Sequence, residues 1–245
     1  MTIDLAPTGK LRAGINYSNF ILASKDPAGG EPRGIAPDLS REIARRLGIP
    51  VEFVTFQSAG AMADAAATGD WDIAFLANEP QRADQILFSP PYVEIECGYL
   101  VPSGSRVQSI TEADTQGLRI AVAEKSAYDL FLSRTLKNAE LVRAKGMDGS
   151  CQLLTTGKAD VLAGLKPWLT MVFDKLPGSR ILDGRFTAVQ QCIGTPRGRH
   201  AAATYLREFL EDIRKSGSLA RTVRNYSANV SLATAAAETA VGHPE

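Results

Sequence analysis

Apolar positions recur along this chain in two alternating rhythms. LRAGIN, Leu11–Asn16, predicts a short strand, which gives way to a polar loop carrying Tyr17, Asn19 and Phe20 and then to the Gly/Pro-rich turn DPAGGEPRG. Asp38 is placed to cap a helix in which Leu39, Ile43 and Leu47 recur every four positions, and Gly48 with Pro50 stops it. VEFVTF predicts a strand, SAGAMADAAATG a short helix closed by Gly69, and DIAFLA a buried strand, since the run is too short for a helix of any use to a core. The order β-α-β-α-β implies a parallel sheet covered by helices.

The same order begins again after YLVPSGSRVQSITEAD. LRIAVA predicts a strand, Ser126 and Asp129 have the spacing of a capping box before a helix through Leu130 and Leu136, AELVRA predicts a strand, CQLLTTG closes a helix, and DVLAGL is the next strand. TGDWDIAFLA from Thr68 and TGKADVLAGL from Thr156 thus occupy equivalent places, each joining a helix to a buried strand. Their separation far exceeds the roughly 20–50 residues of a solenoid repeat, so the reading is two α/β lobes of related plan. A helix, glycine, aspartate and apolar strand also make a common connection, so the weight rests on the whole order.

Composition narrows the possible partners. The 245 residues are 44% hydrophobic, and 27 basic side chains balance 27 acidic ones. A chain of this length buries one large core or two modest ones, and zero net charge gives no general attraction to phosphate backbones or anionic lipid. Neither nucleic acid nor membrane insertion is expected; no run reaches the roughly 18 apolar residues of a spanning helix. Cys97, Cys151 and Cys192 are far apart and odd in number, which reads as buried free thiols, with no metal or other cofactor expected. MTIDLAPTGKLRAGIN has neither a basic start with a long apolar run nor a small-residue cleavage site, so no secretion signal is read there, and a cytoplasmic location stays open.

Four stretches, in order, resemble the family 3 extracellular solute-binding proteins, the amino-acid type of ABC-transporter substrate-binding protein. They are GIAPDLSREIARRLGIPVEFV, TGDWDIAFLANEPQRADQILFSPPY with its single arginine before a Phe-Ser-x-Pro-Tyr run, LRIAVAEKSAYDLFL, and YLREFLEDIRKSGSLARTVRNY. The resemblance runs from about Leu11 to Tyr226. It implies a two-lobed, type II periplasmic-binding-protein-like α/β fold with a parallel-sheet core in each lobe. Two hinge crossovers are expected near Glu94–Pro102 and Phe186–Gly194. The expected boundaries are 1–97 with 190–232 for lobe 1 and 98–189 for lobe 2, with 233–245 a C-terminal tail. SANVSLATAAAETAVGHPE is expected to be a peripheral helix or loose tail. A small-molecule ligand held between lobes, an ABC-transporter permease as partner, a periplasmic location and a monomeric state are likewise implied.

In such a fold ligands sit at the carboxyl ends of parallel strands, where loops and helix N-termini converge. Arg82 occupies the position of the family's arginine, and a guanidinium offers planar paired donors to a carboxylate; the alternative is a solvated arginine on a short surface helix. Ser126 and Ala127 match the positions that present a hydroxyl and backbone N–H groups at a helix N-terminus, and the alternative for Ser126 is a plain N-cap, the two roles being compatible. The small hydroxyl-bearing residues expected before the arginine are replaced by Leu76, Ala77 and Asn78, and the stretch from Asp72 to Arg82 is about two residues short of the family's usual pattern. The second-lobe aspartate that pairs with a ligand ammonium falls on Leu165. A buried ammonium without a counter-charge is costly, so the expected ligand is a small carboxylate or other polar acid unless Glu79 substitutes as the anion. Lys166 is either a second positive contact or solvent-facing. The expected stacking tyrosine is displaced: its position holds Asn19, with Tyr17 and Phe20 close by, either lining the pocket or covering the core, and Tyr92 is read as structural.

No motif demands catalysis: GxSxG, HExxH, GxxxxGK and GxGxxG after the first strand are all lacking, and the two histidines, His200 and His243, are isolated. The runner-up is an enzyme of the cyclohexadienyl dehydratase type, which resembles the same family and needs little beyond a placed acid; Glu79 or Glu124 would be that acid.

Overall fold

The computed structural model describes residues 4–226 and 231–233. The chain divides into two units: unit 1 runs to Glu94 and resumes at Gln190, and unit 2 is Ile95–Val189.

Unit 1 is built on β1 (Leu11–Asn16), α1 (Ile35–Leu47), β2 (Val51–Phe56), α2 (Ala59–Asp64), β3 (Ile73–Ala77), α3 (Pro80–Ala83) and β4 (Ile86–Phe88). β1 lies between β2 and β3 and is parallel to both, with Leu11 opposite Val51 and Ala13 opposite Ile73. The chain leaves through β5 (Val93–Val101). Unit 2 repeats the plan with β6 (Arg119–Ala123), α4 (Ala127–Thr135), β7 (Glu140–Ala144), α5 (Gly146–Thr155) and β8 (Val161–Leu165). There β6 is parallel to both β7 and β8. It is completed by α6 (Lys166–Phe173) and β9 (Arg180–Ile181), and the chain returns through β10 (Thr187–Pro196) to α7 (His200–Lys215), α8 (Ser218–Tyr226) and β11 (Ser231–Leu232) of unit 1.

Each parallel core also carries one antiparallel strand. In unit 1 β10 runs against β3, with Gln191 opposite Ala77; in unit 2 β5 runs against β8, with Cys97 opposite Leu165. These are the two segments through which the chain crosses, so each sheet is mixed and not purely parallel.

The echo noted in the sequence has a physical basis. In unit 1 the backbone N–H of Asp72 donates to the Arg12 carbonyl at 2.8 Å, and the Arg12 N–H donates back to Asp72 Oδ2 at 2.9 Å. In unit 2 the Asp160 N–H donates to the Arg119 carbonyl at 2.8 Å, and the Arg119 N–H to Asp160 Oδ2 at 2.9 Å. Each arginine then closes on the same carboxylate with its side chain, Arg12 Nη2 at 2.7 Å and Arg119 Nη2 at 2.8 Å from Oδ1. The tightened turn and the aspartate after it thus lock the third parallel strand of each unit to the first. Unit 1 adds Arg199, whose Nη1 donates to Asp72 Oδ1 at 2.7 Å, and Trp71, whose Nε1 donates to the Met62 carbonyl at 2.8 Å inside a cluster with Leu76 and Ile86.

Three local expectations are corrected. Helix α1 starts at Ile35 behind Gly34, so Asp38 lies in its first turn and is not the cap. Gly34 sits at φ 134°, and a Cβ there would lie 2.4 Å from the Leu22 carbonyl oxygen, so the close approach of two backbone segments sets the helix start, a constraint invisible in local capping chemistry. Cys97 and Cys192 are buried as expected, but Cys151 is only half-buried because it sits on the flank of α5. Of the C-terminal stretch, Ser231–Leu232 is neither helix nor loose tail but a strand antiparallel to Val93–Glu94, and Ala233 behind it is buried. The remainder of that stretch lies outside the described residues.

Candidate functional site

The loops that follow β1, β2 and β3 leave unit 1 on one edge, because the three strands are parallel and in register. The β3 loop carries Asn78, Glu79 and Arg82. Pro80 takes the first position of the four-residue helix α3, where its missing N–H costs nothing, and the Arg82 N–H donates to the Glu79 carbonyl at 2.8 Å. This turn swings Arg82 inward: the residue is only 5% exposed, and Nη1 donates to the Ala77 carbonyl at the end of β3 at 3.1 Å. The solvated-surface alternative for Arg82 does not hold. Burial lowers its pKa to about 10, and the negative charges of Glu79 and Asp64 act in the opposite direction. Glu79 is itself only 9% exposed, while Asn78 is exposed.

The β1 loop brings the other unit 1 candidates to this edge. Asn19 is 9% exposed; its backbone N–H donates to the Asn16 carbonyl, and its Oδ1 is shut off from solvent with no hydrogen-bond partner among the described residues. Tyr17 is half-buried with Lys25 Nζ 5.4 Å from its ring centroid, and Phe20 is 37% exposed. An exposed phenylalanine is not covering the core. Tyr92 is fully buried, edge-on to Phe75 with ring centroids 6.0 Å apart.

In unit 2 Ser126 is the N-cap of α4: its Oγ accepts from the Asp129 N–H at 3.1 Å, and Asp129 Oδ2 reaches back to the Lys125 N–H at 2.8 Å. Ala127, the first helical residue, is buried. Arg143 Nε neutralises the buried Asp129 carboxylate at 3.0 Å. Lys125 sits at φ 56°, the one non-glycine residue in the left-handed region among those described. Lys125→Gly is therefore expected to stabilise the chain by about 0.5 kcal/mol, read as a higher urea midpoint with an unchanged slope.

Leu165 is buried at the end of β8, paired with Cys97, and is apolar where the family's pattern has an aspartate. Lys166 opens α6 and donates from Nζ to Glu96 Oε2 at 2.7 Å, while Arg185 Nη1 takes Glu96 Oε1 at 3.2 Å. The hydrogen bond from Lys166 holds the Glu96 carboxyl below its ordinary pKa. Glu96 went unnoticed in the sequence; the signal available was a second carboxylate within the otherwise apolar run VEIECGYLV. Unit 2 also holds a cavity of ≈ 490 Å³ lined by Gln108, Thr170, Phe173 and Arg180–Asp183, which contains none of the expected site residues. Among the described residues no cluster of His, Cys, Asp and Glu has a metal site's composition, and no helix is long and apolar enough to cross a membrane.

Residues 11–229 match the bacterial extracellular solute-binding proteins, family 3, and the chain belongs to that family. Solved structures share the fold. A mutant of the arginine-binding protein ArgBP from T. maritima matches at TM-score 0.76 and 22% identity, over 92% of this chain and 99% of that one. The solute receptor for L-cysteine of Neisseria gonorrhoeae matches at TM-score 0.78 and 18% identity, over 94% and 98%. An ancestral amino-acid-binding protein described as a precursor of cyclohexadienyl dehydratase matches at TM-score 0.75 and 22% identity, over 92% and 99%. No match was found among curated proteins.

Proposed function

We propose that this chain binds a small polar solute through a carboxylate held by Arg82, as the periplasmic substrate-binding component of an ABC transporter. Family membership supports the binding role, and the neighbours that bind arginine or cysteine point to solutes of amino-acid size. The observation that carries the reading is the enclosure of the Arg82 guanidinium at the carboxyl edge of the parallel strands, where Nη1 donates to the Ala77 carbonyl. A guanidinium has five donors in a fixed fork, and burial makes a charge-assisted bond to a carboxylate stronger than in water. Ser126 and Ala127 support an anion-facing role for the start of α4, although Asp129 already occupies part of that helix end. Delivery to a membrane permease follows from the transporter reading, with the chain acting as a carrier and not a catalyst.

A thermal-shift screen of small carboxylic acids, amino acids and amines tests this. A true ligand at 100 times its dissociation constant adds about 2.7 kcal/mol of stability. At least one carboxylate-bearing compound is expected to raise the melting temperature, and a response confined to compounds without a carboxylate would exclude the Arg82 reading.

A further inference from the structure

Helix α6, KPWLTMVF, sets Trp168, Leu169 and Val172 into the core of unit 2. Thr170 and Phe173, three positions apart, share another face, and Phe173 is left 43% exposed. That face walls the ≈ 490 Å³ cavity together with Ile181 and the buried Leu182, and the volume is that of a small-molecule pocket. Strand β9 pairs with Leu100 and Val101, and Leu100 also faces Leu162 near the start of β8. The cavity therefore lies toward the amino end of β8, whereas Ser126 and Lys166 follow the carboxyl ends of β6 and β8.

Its polar element is a guanidinium. Arg180 is half-buried, and its Nη2 donates to the Ser105 and Val107 carbonyls at 3.2 Å and 3.1 Å. These bonds fix the group and use both hydrogens of Nη2. Nε and Nη1 meet no acceptor, and no carboxylate pairs with Arg180, among the described residues. The turn before it is closely packed: the Ser179 hydroxyl donates to the Leu176 carbonyl at 2.6 Å, and a Cβ on Gly178, at φ 79°, would lie 2.9 Å from Ser103 Oγ.

A carboxylate is the group that best answers fixed cationic donors, and an aromatic ring suits the exposed ring of Phe173. Asp183 lines the same cavity, exposed and with no ion pair among the described residues. A second negative charge on the ligand would meet it unfavourably. We infer that this cavity is a further binding site, formed by unit 2 alone, for an aromatic monocarboxylate, with Arg180 holding the carboxylate and Phe173 the ring. The inference does not depend on Arg82.

The test titrates the whole chain calorimetrically with phenylacetate. Three controls each change one feature: acetate lacks the ring, 2-phenylethanol lacks the carboxylate, and 4-carboxyphenylacetate adds a second charge. Phenylacetate is expected to bind about ten-fold or more tightly than each of them. Arg180→Met should weaken phenylacetate by about ten-fold and Phe173→Ala by about three-fold. Circular dichroism checks folding; Phe173 is exposed, so Phe173→Ala carries the test even where Arg180→Met does not fold. Absence of phenylacetate binding overturns the inference, as does equal affinity for any control. Binding that both variants leave unchanged also overturns it, since the probe is then held elsewhere. Either failure leaves the Arg82 reading standing, because neither variant touches that turn in unit 1.

Discussion

Asp72→Asn is expected to cost roughly 3 kcal/mol of folding stability, because removing one member of a buried ion pair leaves its partners charged and poorly solvated. Asp72 is fully buried and receives Arg12 Nη2 and Arg199 Nη1, each at 2.7 Å, so two guanidinium groups lose their anion at once. The equivalent Asp160→Asn in unit 2 is expected to cost about 1 kcal/mol or less, since this pair is more than a third exposed and water takes over its solvation. Urea titrations of the two variants should therefore separate clearly although the turns look alike. The acid limb should separate them too. Asp72 is held below its ordinary pKa by hydrogen bonds from Arg12 and Arg199, which outweigh an opposing burial effect. A carboxyl lowered in the folded state stabilises above its unfolded pKa of about 3.9, and that contribution is lost as pH falls from there through the folded value. The wild type should lose stability through this window, and Asp72→Asn should lose less.

The second large effect concerns binding. Arg82→Met is expected to weaken the ligand found by screening at least 100-fold, about 2.8 kcal/mol at 1.4 kcal/mol per decade, since the enclosed carboxylate would lose its only guanidinium in that turn. Arg82→Lys keeps the charge but not the planar fork, and should fall between wild type and Arg82→Met. If Arg82 were merely structural, both variants would shift the melting temperature and leave the affinity of the folded fraction unaltered.

The order of strands and helices was legible because it depends on local periodicity and on glycine at turns. β1 and β2 coincide with LRAGIN and VEFVTF, and Ser126 with Asp129 forms the expected capping geometry. The start of α1 was not legible, because it is set by Gly34 passing close to Leu22, a contact between segments distant along the chain. The antiparallel members of each sheet were hidden for a related reason: β5 and β10 read as crossing segments, and a strand's partner and direction depend on where the chain returns. For the candidate site, the motif singled out Arg82, while its burial, that of Glu79 and the stranded Asn19 Oδ1 arise from the turn at Pro80 and the loop after Asn16, which side-chain type alone does not encode.

Nitrogen-detected NMR of the arginine side chains during ligand titration reports most directly on the guanidinium itself. The account predicts that the Arg82 Nε–H signal, assigned by its absence in Arg82→Lys, moves as ligand is added and saturates at the calorimetric dissociation constant. A ligand that binds to saturation while that signal stays where it was would contradict it.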